Sequence, residues 1–280
     1  MLLLSGCPLT IRGHDRVFVK RVLTKGGLVL DFAFPTLLHV CLLIFFVAIL
    51  YSSVGHGGAS GYLAVLSFFA VSPEKMSTTA LMLNVLVAGL ATWSYYRAKH
   101  LSMKLAWPFI LASIPAAFVG GTIRISEKTY FLLLALVLVF AAFRLAFSSR
   151  AGGDQAAEKS VNPRISLPVG AGIGVLSGIV GVGGGIFLSP IMLLMKWASV
   201  KQTAAVSALF IVVNSLAGLG GRVLRGSFDM STSIPIVVAA FAGGLIGSYF
   251  GASKFSGFVL RRILGIVLVI AAFKLIVTMV

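Results

Sequence analysis

Residues 165–195 read ISLPVGAGIGVLSGIVGVGGGIFLSPIMLLM, 31 positions without a charged side chain. A helix rises about 1.5 Å per residue and a bilayer core is about 30 Å thick, so one crossing takes about 20 apolar residues. The run is too long for one straight helix and falls short of the roughly 40 residues that two crossings need. Its interruption is visible at Gly181-Val182-Gly183-Gly184-Gly185. Glycine permits positive φ and close backbone approach. Irregular backbone at membrane depth survives only around a buried site or a cavity. The stretch therefore predicts a helix that stops inside the membrane, a glycine loop, and a short segment starting near Ile186.

The same plan occurs upstream. Between Phe32 and Pro73 the only titratable side chains are His39, Cys41, Tyr51, His56 and Tyr62, with no Asp, Glu, Lys or Arg. As one helix that stretch would be about 60 Å long, so it has to fold back, and the break is Gly55-His56-Gly57-Gly58. Uncharged segments follow at Met76–Tyr96, Leu105–Ile123 and Thr129–Phe143, then at Gln202–Gly221, Met230–Ser253 and Ile263–Phe273. The polar stretch Ser148–Arg164 (SSRAGGDQAAEKSVNPR) has linker composition.

Self-comparison points to a duplication. VLVFAAFRL at Val137–Leu145 returns as VLVIAAFKL at Val267–Leu275. Pro108 matches Pro235 and Gly120 matches Gly247 at an offset of 127, while Gly55, Gly57 and Gly58 match Gly181, Gly183 and Gly184 at 126. The expected organisation is a basic N-terminal segment (1–27), a first transmembrane repeat (28–147), a linker (148–164) and a second repeat (165–280). The fold class is an all-α integral membrane protein of two homologous halves, each with 4–5 helical segments and a glycine-broken helix at the centre. Residues 1–27 place basic side chains after a short apolar run, the reverse of a cleavable signal peptide, and read as a cytoplasmic preface. A start codon set too far upstream would look the same.

If the segments after the glycine breaks cross fully, each half has five spans and the halves are inverted. If they are re-entrant, each half has four and the halves are parallel. Counting basic loops favours the parallel scheme with Arg97, Lys99, Lys104, the linker, Arg222 and Arg225 on the cytoplasmic side. Inverted repeats are common in transporters and stay open.

Composition agrees with the membrane reading. The chain has 280 residues, 59% hydrophobic and 11% charged, with a mean hydropathy of +1.05. An ordinary globular domain carries about 25% charged residues. Lys and Arg number 23 against 7 Asp and Glu, a net charge of +16. Nucleic-acid binding is excluded as the meaning of that charge, because bilayer-length uncharged runs separate the basic residues. Two cysteines, Cys7 and Cys41, make neither a metal site nor a disulfide framework.

The candidate chemistry lies at the breaks. A segment that starts at a glycine loop carries about half a positive charge at its N-terminus and free N–H groups, a seat for an anion. Paired breaks in corresponding halves point to a transport site. The candidate binding residues are Gly55, His56, Gly57, Gly58, Gly181, Gly183, Gly184 and Gly185, with Thr79, Asn84, Thr203, Ser207 and Asn214 completing a polar cavity. Interhelical hydrogen bonding is the commoner role for asparagines so placed. His56 is the one titratable candidate near the membrane middle, and a helix-end histidine bonded to backbone is its plain alternative. Gly170, Gly174 and Gly178, like Gly243, Gly247 and Gly251, repeat every four residues and read as close helix packing. Lys196 and Trp197 read as a snorkelling lysine and an interface tryptophan. All seven acidic residues fall outside the apolar segments or at their ends. A cation carrier buries carboxylates to offset its cargo, so their absence points to an anion or a neutral solute.

Two stretches carry a family resemblance. GVGGG followed by IFLSPIMLL (181–194), and its partner SSVGHGGASGYLAVL (52–66), resemble the repeated glycine-rich motif of the sulfite exporter TauE/SafE family. SALFIVVNSLAGL (207–219) and RGSFD (225–229) look like the same family's continuation, and the likeness covers residues 37–280. It implies a multi-pass transporter, an exporter of a small sulfur-containing anion such as sulfite or an organosulfonate. The first half departs from the pattern: Ala59 stands where Gly185 does and Ala64 where Pro190 does.

A passive anion channel, or a carrier of another small organic anion, is the neighbouring reading. An intramembrane enzyme would need a constellation such as H-E-x-x-H or a serine with a nearby base, and neither occurs. No cofactor or metal is expected. The partners expected are the lipid bilayer and a small anionic substrate, in a cell (inner) membrane location, with homo-oligomerisation open.

Overall fold

The computed structural model describes residues 34–53, 57–69, 71–146, 161–226, 234–253 and 268–277. Within them the chain is helical, with no strand. The elements are α1 (Phe34–Ser52), α2 (Ala59–Phe68), α3 (Pro73–Arg97), α4 (Met103–Thr122), α5 (Glu127–Ala146), α6 (Pro163–Val180), α7 (Gly185–Leu194), α8 (Val200–Leu224) and α9 (Ile234–Ser253), followed by α10 (Leu268–Val277). Among the described residues, α1, α3, α4, α6 and α8 are long and apolar enough to cross a membrane. Large apolar side chains point outward along the bundle, including Phe46, Trp107, Leu136, Val238 and Phe273. That surface suits lipid and would be a liability in water.

Local chemistry sets the helix ends. Pro163 opens α6 beside an Asn162 side chain that accepts from the Arg164 N–H. Ser199 and Gln202 form a reciprocal capping box at the start of α8. α2 and α7 differ: each has ten residues, and each begins at a left-handed glycine with no side-chain cap. Ten residues rise about 15 Å, half a bilayer core.

Residue pairs give the helix directions. Arg225 pairs with Glu74 at 3.2 Å, Gly218 packs on Leu81 and Ser215 meets Asn84, so α3 and α8 run antiparallel. Along the pair α4 and α6, Phe109 meets Gly170, Ser113 meets Gly174 and Ala117 meets Gly178, so these run parallel. α1 and α9 also run parallel, with Phe45 against Gly243 and Ile49 against Gly247. These glycines touch backbone carbonyls of the neighbouring helix, the close packing that their spacing implies. Gly251 has no described side-chain environment.

The antiparallel course of α3 and α8 opposes the parallel arrangement that loop charges favour. Basic residues lie at both ends of the bundle. Lys75, Arg124, Lys128 and Arg225 fall at the Glu74 end, while Arg97, Lys99, Lys104 and Lys201 fall at the other, by their places at helix ends. Arg222 is no loop charge at all, being only 2% exposed. Trp197 also departs from expectation: it is buried and packs on Phe109 with ring centroids 5.8 Å apart. The interface-type tryptophans are Trp93 and Trp107, both exposed.

Candidate functional site

The two glycine loops converge on one pair of side chains. A Cβ placed on Gly57 would lie 2.6 Å from Asn84 Oδ1 and 3.0 Å from Ile211 Cγ2. One placed on Gly183 would lie 2.6 Å from Asn84 Nδ2 and 2.8 Å from the same Ile211 Cγ2. Asn84 of α3 and Ile211 of α8 therefore sit between the loops, midway along their 25-residue helices. From this centre the half-helices diverge. α2 leads to the start of α3 at the Glu74 end. α7 runs back along α8, from Gly185 beside Ile211 to Ser189 hydrogen-bonded to Ser207 at 2.9 Å, toward the opposite end.

Both half-helix N-termini thus face the centre. Gly58 (φ +91) and Gly184 (φ +83) occupy the left-handed region, where a side chain is strained. Gly183 (φ +78) does the same in the middle of the second loop. No side chain caps either terminus. Two such ends carry about one unit of positive charge between them.

The polar groups here are buried and incompletely paired. Asn84 Nδ2 donates to Val182 O at 3.3 Å and to Ser215 Oγ at 3.4 Å. Asn84 Oδ1, the Tyr62 hydroxyl and both amide atoms of Asn214 are buried without a hydrogen-bond partner among the described residues. Unpaired buried amides and hydroxyls cost free energy and are uncommon unless a water or ligand meets them. Tyr62 lies over Gly58, where a Cβ would be 2.8 Å from its hydroxyl oxygen. Among the described residues the acidic side chains are Glu74 and Glu127, both in the first turns of helices at one end of the bundle.

Of the residues expected at the site, Gly57, Asn84 and Gly183 meet at the centre, and Gly58, Gly184 and Gly185 start the two half-helices beside it. Ser207 is on α8 and faces the second half-helix, with its backbone carbonyl under Gly185. Gly181 (φ +89) instead ends α6 and packs on Ser77. Thr79, Thr203 and Asn214 are buried on α3 and α8. Gly55 and His56 lie outside the described residues. Sequence reasoning missed Tyr62, Ile211 and Ser215. Ser215 had a signal, since it adjoins Asn214 in an uncharged helix; Ile211 had none, because an isoleucine there reads as lipid-facing or core.

Long apolar helices around a buried, partly unpaired polar centre with two half-helices define a multi-pass membrane protein of transporter design. A model of the family described as Sulfite exporter TauE/SafE matches residues 40–275, and the chain belongs to that family. It is 34% identical over 234 residues to a probable membrane transporter protein, y4hK, of Sinorhizobium fredii, covering 82% of this chain and 94% of that one. Two probable membrane transporter proteins of Bacillus subtilis are more distant. YunE is 20% identical, covering 70% of this chain and 82% of its own, and YdhB is 21% identical, covering 75% and 89%. No solved structure matches. The chain is a membrane transporter.

Proposed function

We propose that the protein carries a small sulfur-containing anion, such as sulfite or an organosulfonate, out of the cell across the inner membrane. The anion sits where the two glycine loops meet. One observation carries this reading: two uncapped half-helix N-termini face the same Asn84–Ile211 pair, and no carboxylate is described there. Backbone N–H groups at the starts of α2 and α7 would hold the oxyanion, as helix N-termini do. Asn84, Tyr62, Ser215 and the polar residues Thr79, Thr203, Ser207 and Asn214 would line the cavity around it.

In this reading the halves are inverted repeats. α3 and α8 match in length and run antiparallel, α2 and α7 match and point apart, and α4 packs on α6 as α9 packs on α1. Such an arrangement gives two related states by exchanging the conformations of the halves around a fixed site. No bond of the substrate is made or broken.

Sulfite flux in proteoliposomes tests the proposal. Wild-type protein should move sulfite against its gradient when a coupling gradient is imposed. Gly57→Val and Gly183→Val should abolish flux while the protein still inserts in the membrane. Undiminished flux in both variants would place the site elsewhere.

A further inference from the structure

Arg222 of α8 is the one charged side chain that is buried among the described residues. It has no carboxylate partner there. Its Nη2 donates to Gly178 O at 2.9 Å and to Ile179 O at 3.0 Å, while its Nε is buried without an acceptor. Together with two neighbours it satisfies the end of α6. Ser177 O accepts from the Gly181 N–H at 2.8 Å, and Val180 O accepts from the Tyr130 hydroxyl at 3.1 Å. A neutral donor would serve the same carbonyls, as Tyr130 does for Val180. A buried, unpaired guanidinium is costly, so its charge calls for an explanation that capping alone does not give.

The electrostatics of a broken helix give one. A helix C-terminus carries about half a negative charge. Four residues separate the end of α6 from the start of α7, so its negative pole lies beside the positive N-terminus that would hold the anion. Left bare, that pole would offset the field of the α7 N-terminus beside it. Arg222 covers it with a full positive charge, seven residues along α8 from Ser215, or about 10 Å.

We propose that Arg222 sets the anion selectivity of the centre, by placing a full positive charge on the terminal carbonyls of α6. This rests on the reading of the centre as an anion site. Arg222 touches no substrate in this role and is a positioning residue. Its partner in tuning is Glu74, whose carboxylate pairs with Arg225 at 3.2 Å and brings the nearest described negative charge to the same end of α8.

The test uses ligand charge as the readout, because a charge effect scales with the charge of the ligand and a loosened cap does not. Binding of sulfate, a dianion, and methanesulfonate, a monoanion, is measured by titration of the full chain in detergent. At an effective permittivity of about 20, a unit charge about 10 Å away changes the affinity for a monoanion roughly fifteenfold, and that for a dianion roughly three-hundredfold. Arg222→Gln should show those two losses, and Arg222→Lys, which keeps a cationic donor, should lose less than Gln for both anions. Glu74→Gln alters an exposed group and should tighten sulfate more than methanesulfonate. Equal weakening of both anions by Arg222→Gln, or the same loss with Lys as with Gln, overturns the inference. Should Arg222→Gln fail to fold, Glu74→Gln decides: an equal effect on the two anions, or none, overturns it. Wild-type protein that binds neither anion overturns the anion reading and this inference with it. Wild-type binding that Arg222→Gln leaves intact overturns the inference alone.

Discussion

The Asn84 amide donates to the carbonyl oxygen of Val182 at 3.3 Å, tying the middle of α3 to the glycine loop between α6 and α7. Its other end, Oδ1, lies against Gly57 of the first loop with no partner among the described residues. One side chain thus senses both loops. Asn84→Ala should cut sulfite flux at least tenfold and lower stability by about 1–3 kcal/mol, because Val182 O is left buried and unpaired. Asn84→Asp should abolish flux more completely, since a carboxylate would occupy the field of the two helix N-termini in place of the anion. Proteoliposome flux and thermal unfolding in detergent check both. Wild-type flux from Asn84→Asp would refute a centre built for anions.

The glycines divide by what surrounds them. Gly178 packs against Ala117 O, with Gly121 N only 2.7 Å from a Cβ built there. Gly178→Val should therefore cost more than about 3 kcal/mol or prevent accumulation of folded protein, because backbone cannot yield as a side chain does. Gly183→Ala combines a positive φ with a contact on the Asn84 amide, and should cost about 1–2 kcal/mol from the backbone alone while stopping flux. Gly172 and Gly89 have open space where an added methyl group would go. Their alanine variants should be neutral or more stable by up to about 1 kcal/mol, since alanine is the better helix former. Melting temperatures of the four variants give the ranking.

The helices themselves were legible because a bilayer imposes length and uncharged composition, and the breaks because four glycines in five positions cannot continue a helix in lipid. Gly170, Gly174 and Gly178 were legible as packing because small residues every four positions form one stripe. What sequence could not show was the meaning of single charges. Arg222 follows a glycine pair near the end of an apolar run and looks like the first residue of a basic loop, yet it turns inward to the carbonyls of α6. Counting it as a loop charge biased the topology toward parallel halves. Ile211 was invisible for the opposite reason: its role depends on α3 and α8 crossing where they do, and an apolar side chain carries no mark of that.

Trp197 illustrates the same limit and gives a stability test. Following Lys196 at the end of a short helix, it has the sequence context of an interface residue, but it is 4% exposed and lies on the Phe109 ring. Trp197→Ala should open a cavity between the end of α7 and the start of α4, at a cost of about 3 kcal/mol. The lower end of the usual range applies because lipid, unlike water, gains little from the exclusion of an indole. Trp93→Ala and Trp107→Ala remove exposed rings and should each change stability by less than about 1 kcal/mol. Thermal unfolding in one detergent compares the three.

The ion pair between Glu74 and Arg225, 3.2 Å across the ends of α3 and α8, makes the topology testable. Antiparallel helices put Glu74 with Arg225 on one membrane face, and Arg97 with Lys201 on the other. Parallel helices would put Glu74 with Lys201. In a chain with Cys7 and Cys41 replaced by serine, single cysteines at these four positions should fall into the two pairs of the antiparallel arrangement when intact cells are treated with a membrane-impermeant thiol reagent. Glu74→Cys combined with Arg225→Cys should also be bridged by a flexible bis-maleimide, because the native pair spans the gap through two long side chains that meet at their tips. Labelling that pairs Glu74→Cys with Lys201→Cys would overturn the inverted arrangement. It would also remove the exchange of equivalent half-helices that the proposed alternating access requires, because parallel halves would present both α2 and α7 to the same face.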